Sequence, residues 1–331
     1  MRKVLALSLL AGIVLGAAQP YRVTVPRGFP PLPVPADNPL TVPKVQLGRR
    51  LFYDKRMSLN GKASCATCHR QELAFTDGRA RAVGTTGEEH PRSAMSLVNL
   101  AYNAAFNWSD PTVHSLEQQA MKPMMSARPV ELGLNTIEAE FLQVTRTDPV
   151  YRELFALAFP GEHDPHTLSC VAKAIASFER TIVTQGSAYD RFRYHREGNA
   201  ISEAAKRGEI LFFLDGGPSC FRCHGGFNFS DAAEFHNTAL NAGDVRKFKA
   251  PTLRNIALTG PYMHDGSVAT LGEALDHYAA GGRSGKGNPA KDKLMHGFTM
   301  TPLNRADLVA FLESLTDEEL VRDPKFGDPW R

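Results

Sequence analysis

Cys65-Ala66-Thr67-Cys68-His69 and Cys220-Phe221-Arg222-Cys223-His224 are two copies of one pattern, C-x-x-C-H, far apart in a chain of 331 residues. This is the pattern of covalent c-type haem attachment. Two thiols three positions apart reach the two vinyl groups of one porphyrin as thioethers, and the adjacent imidazole then lies under the iron as its proximal ligand. The competing readings fit less well. A dithiol redox centre has no need of the histidine, and a zinc site made of two C-x-x-C knuckles expects them much closer together. The motifs predict two covalently bound haem c groups, one on Cys65, Cys68 and His69, the other on Cys220, Cys223 and His224. The fifth cysteine, Cys170, falls in a periodic segment and reads as a buried helix residue.

Helical signals surround each motif. A short helix is expected over Val45–Tyr53 before the first, and Thr112–Met121, Thr136–Val144, Pro149–Ala158 and His166–Val183 follow it with 3.6-residue periodicity. Ser187–Arg196 leads into the second half, and Ser202–Phe213 precedes the second motif. Thr270 and Glu273 form a capping box that opens another helix, and Thr301-Pro302 places a cap and an N1 proline at the start of the last. No segment shows sustained strand alternation. The expected fold class is all-α, two cytochrome-c-like haem domains, with residues 19–195 in the first and 196–331 in the second.

Hydrophobic residues make up 43% and charged residues 22%, an ordinary globular composition. Lys+Arg 38 against Asp+Glu 35 gives a formal +3 with no long run of like charge, which argues against nucleic acid as a partner. Residues 1–18 read as an export signal: Arg2 and Lys3, an apolar stretch, then small residues, with cleavage expected after Ala18. The stretch is well short of the roughly 20 apolar residues needed to span a bilayer. A periplasmic protein without a membrane span is expected.

Beyond the motifs, LGRRLFYDKRMS, CATCHRQELAFTDGR, PVELG, GEILFF, CFRCHGGFNFSD, PTLRNIALTGPYMHDGS and ADLVAFLESLT follow one another along the chain. In this order the sequence resembles the bacterial dihaem cytochrome c peroxidase/MauG family over essentially the whole mature length. PRGFPPLPVPADNPL and RAVGTTGEEHPRSAMSLVNLAYN look most like the branch that includes the methanobactin-associated dihaem enzymes. The resemblance implies hydrogen peroxide chemistry at the N-terminal haem and electron transfer at the C-terminal one.

Residue by residue, the resemblance implies further roles. Reductively activated members carry a distal histidine sixteen residues after the proximal one; here that position is Thr85, a poor haem ligand, so the distal face is expected to be open. His90 and His114 are the other imidazoles near enough to fold back, and the plainer reading of each is a solvated loop residue. Glu131, in PVELG, matches the family's distal acid, Gln119 a distal amide, and Trp108 a tryptophan between the haems. At the position of the second haem's sixth ligand, where peroxidases have Met and MauG has Tyr, this chain has Tyr278; Met300 and Met263 are alternatives. Tyr278 also sits on an apolar helical stripe with Leu271, Ala274 and Leu275, so core packing is its other reading. The family's Ca2+ site maps onto Thr259, Pro261 and Ser93, with Ser93 standing where an Asn is usual and offering a weaker ligand.

Three functions follow as expectations. The first is a MauG-like oxidase that uses H2O2 to oxidise a residue of a partner protein. The second is a cytochrome c peroxidase that removes H2O2 with electrons from a small cytochrome or cupredoxin. The third is a non-enzymatic dihaem electron carrier, against which Glu131 beside an open iron face argues.

Overall fold

The computed structural model describes residues 19–184, 186–231, 233–283 and 288–330. The expected export signal, residues 1–18, lies outside them. Helix α1 (Val42–Tyr53) starts where the Thr41 hydroxyl accepts the Lys44 amide, three residues earlier than periodicity alone suggests. It is followed by α2 (Cys65–Cys68), α3 (Leu116–Met125), α4 (Glu138–Thr147), α5 (Pro149–Ala158) and α6 (Leu168–Glu179). Then come α7 (Ala188–His195), α8 (Glu203–Phe213), α9 (Leu271–Ala279) and α10 (Pro302–Glu313). A two-residue antiparallel hairpin, β1 (Phe235–His236) with β2 (Phe248–Lys249), pairs Phe235 with Lys249. The molecule is mostly helical, as the sequence predicts.

Each half repeats one packing event. Before the first motif α1 crosses α6, and before the second α8 crosses α10. A Cβ on Gly48 would sit 1.9 Å from the Ala174 carbonyl oxygen, and one on Gly208 would sit 2.0 Å from that of Asp307. Any side chain at either crossing would force the two helices apart. Around the first crossing Leu47, Leu51, Phe52, Phe141, Phe155, Ile175 and Phe178 are fully buried; around the second, Phe212, Phe229, Leu308, Phe311 and Leu315 are. Apolar burial on this scale is the main favourable term in folding, at roughly 25 cal/mol per Å² removed from water.

The chain end ties the halves together. After α10, Leu320, Val321 and Phe326 return to the first core. Arg49 donates to the carbonyls of Pro324 and Gly327, and the Tyr53 hydroxyl to that of Phe326, each at 2.7 Å. Between the halves Asn99 donates to Asn228 (3.0 Å) and accepts from the Thr184 amide (3.0 Å). These bonds satisfy buried polar groups that would otherwise be costly. The loops carrying residues 93–108 and 249–264 meet along the same seam.

Candidate active site

The first motif forms the single turn α2. The Ser64 amide donates to the Thr67 hydroxyl (2.9 Å) and the His69 amide to the Cys65 carbonyl (3.0 Å), and Cys65, Cys68 and His69 line one cavity. His69 Nδ1 donates to the Phe75 carbonyl at 2.9 Å, aimed by left-handed backbone at Ala74 and Phe75 (φ 50° and 61°). Nε2 is left for the cavity, the arrangement that orients a ligating imidazole. The second motif repeats this: the His224 amide donates to the Cys220 carbonyl (2.8 Å), and Nδ1 lies 3.3 Å from the Phe229 carbonyl. Burial holds both imidazoles below their ordinary pKa, His224 down to about 4, which keeps them in the neutral form that binds metal.

The thiols are not those of a redox dithiol. Burial pushes Cys65, Cys68 and Cys220 up, the last two to about 12, whereas reactive cysteines are depressed. No disulfide joins any two of the five cysteines. Paired thiols, a neutral imidazole whose Nδ1 faces a backbone carbonyl, and buried wall atoms without a hydrogen bond, Glu179 Oε2 in one cavity and His236 Nε2 in the other, fit a haem c at each motif.

The first cavity, ≈ 610 Å³ with its opening to solvent included, is walled by Gln119 on α3, Glu131 beyond it, Ile175 and Glu179 one turn apart on α6, and His90. Glu131 is about one third exposed, and burial raises its pKa above the usual carboxylate range. Glu179 is buried more deeply and pushed up to about 8. Thr85 turns away: its hydroxyl bonds to Asn60 Oδ1, and its carbonyl accepts from Asn60 Nδ2 at 2.6 Å.

The second cavity is larger, ≈ 1380 Å³ open to solvent, and aromatic. Tyr278, Tyr262, Trp108, Phe248 and His264 line it, with Met263 and His236. Phe248 and His264 stack with ring centres 3.6 Å apart and planes 17° apart. Trp108 Nε1 donates to the Ser93 carbonyl (2.9 Å), and the Trp108 carbonyl accepts the Lys249 amide (2.9 Å), which fixes the indole at the seam between the halves. Burial raises the Tyr278 phenol well above its ordinary pKa.

Residues 42–198 match the family model described as di-haem cytochrome c peroxidase, and residues 205–316 match that of cytochrome c. The methylamine utilization protein MauG of Methylorubrum extorquens is 38% identical over 302 residues, covering 87% of this chain and 82% of that one. The chain belongs to the di-haem cytochrome c peroxidase family. The cytochrome c551 peroxidase of Nitrosomonas europaea is 31% identical over 336 residues, with 96% and 93% covered. A solved MauG-like protein associated with microbial copper homeostasis is 39% identical, with a TM-score of 0.89 over 94% of this chain and 100% of that one. Members of this family are c-haem oxidoreductases, and this chain is an enzyme of that peroxidase type. No helix among the described residues is long and apolar enough to cross a membrane.

Within this family frame, Gln119 and Glu131 reach one cavity and Trp108 and Tyr278 the other. Met263 lines the second cavity; Met300 does not, and packs against the second core instead. His114 is an exposed loop residue, as expected. His90 is not: it faces Glu131 across the first cavity. At the expected Ca2+ position the Ser93 hydroxyl donates to the Met263 carbonyl (3.1 Å), and the Ser93 amide to that of His264 (3.0 Å), so direct bonds join the two loops; the Thr259 hydroxyl donates to the Ile256 carbonyl beside Pro261. Sequence reasoning also missed Glu179, whose position on an apolar helix face gives no motif, and the imidazoles of His236 and His264. His236 Nδ1 lies 2.8 Å from Asp292, and Nε2 3.6 Å from Asp231.

Proposed function

We propose that this chain is a MauG-like, exported peroxide-dependent oxidase: hydrogen peroxide reacts at the first cavity, and the oxidising equivalents pass through the second to a side chain of a partner protein. The observation that carries this reading is that Tyr278, and not Met300, lines the second cavity. A phenolate is a hard anionic donor that favours oxidised iron, whereas a thioether favours the reduced state. A haem c on each motif supplies the redox-active iron.

The chain's own residues do the rest. His69 and His224 present Nε2 to the two cavities. Gln119 orients peroxide with its side-chain amide. Glu131, its carboxyl raised by partial burial, takes a proton from one peroxide oxygen and returns it to the other, which leaves as water. Trp108, held by Ser93, offers an easily ionised ring between the halves. Tyr278 loses its phenolic proton only on metal binding, because burial otherwise keeps it neutral.

The test adds one equivalent of H2O2 to fully oxidised protein without reductant and follows absorption of both haems. The account expects both spectra to change in the wild type and only the first in Tyr278→Phe. Peroxide consumption that begins only after one-electron reduction contradicts it and favours a detoxifying cytochrome c peroxidase fed by a small redox protein, a reading that Met263 on the same cavity wall supports.

A further inference from the structure

His90 and Glu131 are distant in sequence, yet a set of backbone bonds holds them face to face. The loop from Ala82 to Arg92 closes on itself: the His90 amide donates to the Ala82 carbonyl (2.7 Å), the Ala82 amide to that of Arg92 (3.1 Å), and the Gly84 amide to that of Glu88 (2.9 Å). The closed loop is then stapled to the segment that carries Glu131. The Thr85 amide donates to the Glu131 carbonyl (2.7 Å), the Val130 amide to Glu88 Oε2 (3.1 Å), and Asn60 Nδ2 to the Thr85 carbonyl (2.6 Å). With four of these six bonds running between backbone atoms, the geometry depends on loop closure more than on side-chain rotamers.

The imidazole is oriented as firmly as the loop. The Arg92 amide donates to His90 Nδ1 at 3.1 Å, so in the neutral ring the proton resides on Nε2. Nε2 lies 3.9 Å from Glu131 Oε1, a separation that a small side-chain rotation or one water closes. His90 keeps 29% of its side chain exposed while lining the cavity, so it touches solvent on one side and the haem pocket on the other.

We infer that His90 is the proton-relay partner of Glu131, a positioning residue that carries protons between solvent and the carboxyl group and does not bind the iron. This rests on the proposed peroxide chemistry at the first cavity. Glu131 can take the peroxide proton only when ionised, and His90 keeps it so by exchanging its proton with solvent; the two further protons that complete the second water enter by the same route, and the two electrons come from the haem pair and ultimately from the oxidised partner protein. Burial lowers His90 and raises Glu131, which brings the two affinities closer and lets a proton pass either way at small cost. The charges around the pair are Arg92 and Glu88 on the loop and Glu179 on α6, while Gln119 from α3 is neutral.

The experiment uses the oxidised holoprotein in stopped flow with H2O2 and, separately, with cyanide, which must also lose a proton to bind, at about pH 5 to 9. His90→Gln keeps size and one donor but cannot relay. The expected result is a fall of about 10-fold to 100-fold in the rate with peroxide, a flattened pH profile for both probes, and an unchanged resting EPR spectrum. Glu88→Ala, which removes the staple to Val130, lowers the rate less, and Glu88→Gln restores it. If Glu131→Gln is slow while His90→Gln keeps the wild-type rate and pH profile, the relay is overturned and the peroxide reading stands. If Glu131→Gln is also unaffected, the peroxide reading itself fails. A low-spin first haem that turns high-spin in His90→Gln overturns the relay by making His90 a ligand.

Discussion

On the histidine side the two cavities are close copies: a tight Cys-x-x-Cys turn, an imidazole whose Nδ1 is held by the carbonyl of a Phe five or six residues on, and a helix crossing with a glycine at its centre. On the opposite side they share nothing. The first is walled by Gln119, Glu131, Glu179 and His90, an amide, two carboxyls and an imidazole; the second by Tyr278, Tyr262, Trp108 and Phe248, a largely aromatic set. The attachment chemistry dictates the repeated side, because two thioethers and one proximal ligand allow little variation. Function differs where loops and single helix faces supply the walls, the usual place for specialisation on a rigid scaffold.

Five changes break or sharpen this contrast. Glu131→Gln strikes the proton-handling wall and should lower the rate of reaction with H2O2 by about 10²-fold to 10⁴-fold in stopped flow, leaving the second haem's spectrum as it was. Asp190→Ala tests the scaffold of the second half: it strips Arg254, fully buried, of a carboxylate that accepts two bonds at 2.9 Å, and should cost about 3–5 kcal/mol in denaturant unfolding. The counterpart in the first half, Glu117→Ala, removes a partly exposed partner of Arg180 and should cost less.

Glu179→Gln reads the pH dependence of the first wall. Burial raises the folded-state pKa of Glu179 to about 8, above its unfolded value, so its contribution to stability is complete below the unfolded pKa and is lost as pH rises towards 8. The variant lacks that loss, and its Tm advantage over the wild type should widen from about pH 5 to pH 8 in thermal melts. The smallest effect is expected of Met300→Leu, which leaves the second cavity untouched: the haem spectra should not move, and stability should change by less than about 1.5 kcal/mol.

What could be read in advance was local. C-x-x-C-H is contiguous, so both attachment sites were plain, and Asp148-Pro149, Thr270 with Glu273, and Thr301-Pro302 set helix starts through caps that act within four residues. Where local signals competed, boundaries slipped: α3 begins at Leu116 and not at Thr112 because Asp110 accepts the Thr112 amide in a turn and Ser115 provides the true cap. Tyr278, Glu131 and Trp108 were reachable only through family resemblance, since periodicity alone makes Tyr278 a core residue. His90 was legible only as a stray ligand or a solvated loop residue, not as a neighbour of Glu131, and Glu179 not at all. One depends on a loop closing onto a segment some forty residues away, and the other is a single acid on an apolar helix face; only tertiary packing turns either toward the cavity.

The division of labour between the cavities is tested most directly by low-temperature EPR of the resting, fully oxidised protein with spins counted, wild type beside Tyr278→Phe. The account predicts one high-spin and one low-spin haem per chain, with only the low-spin signal altered in the variant. Two low-spin haems in the wild type, or a low-spin signal indifferent to Tyr278, would contradict it.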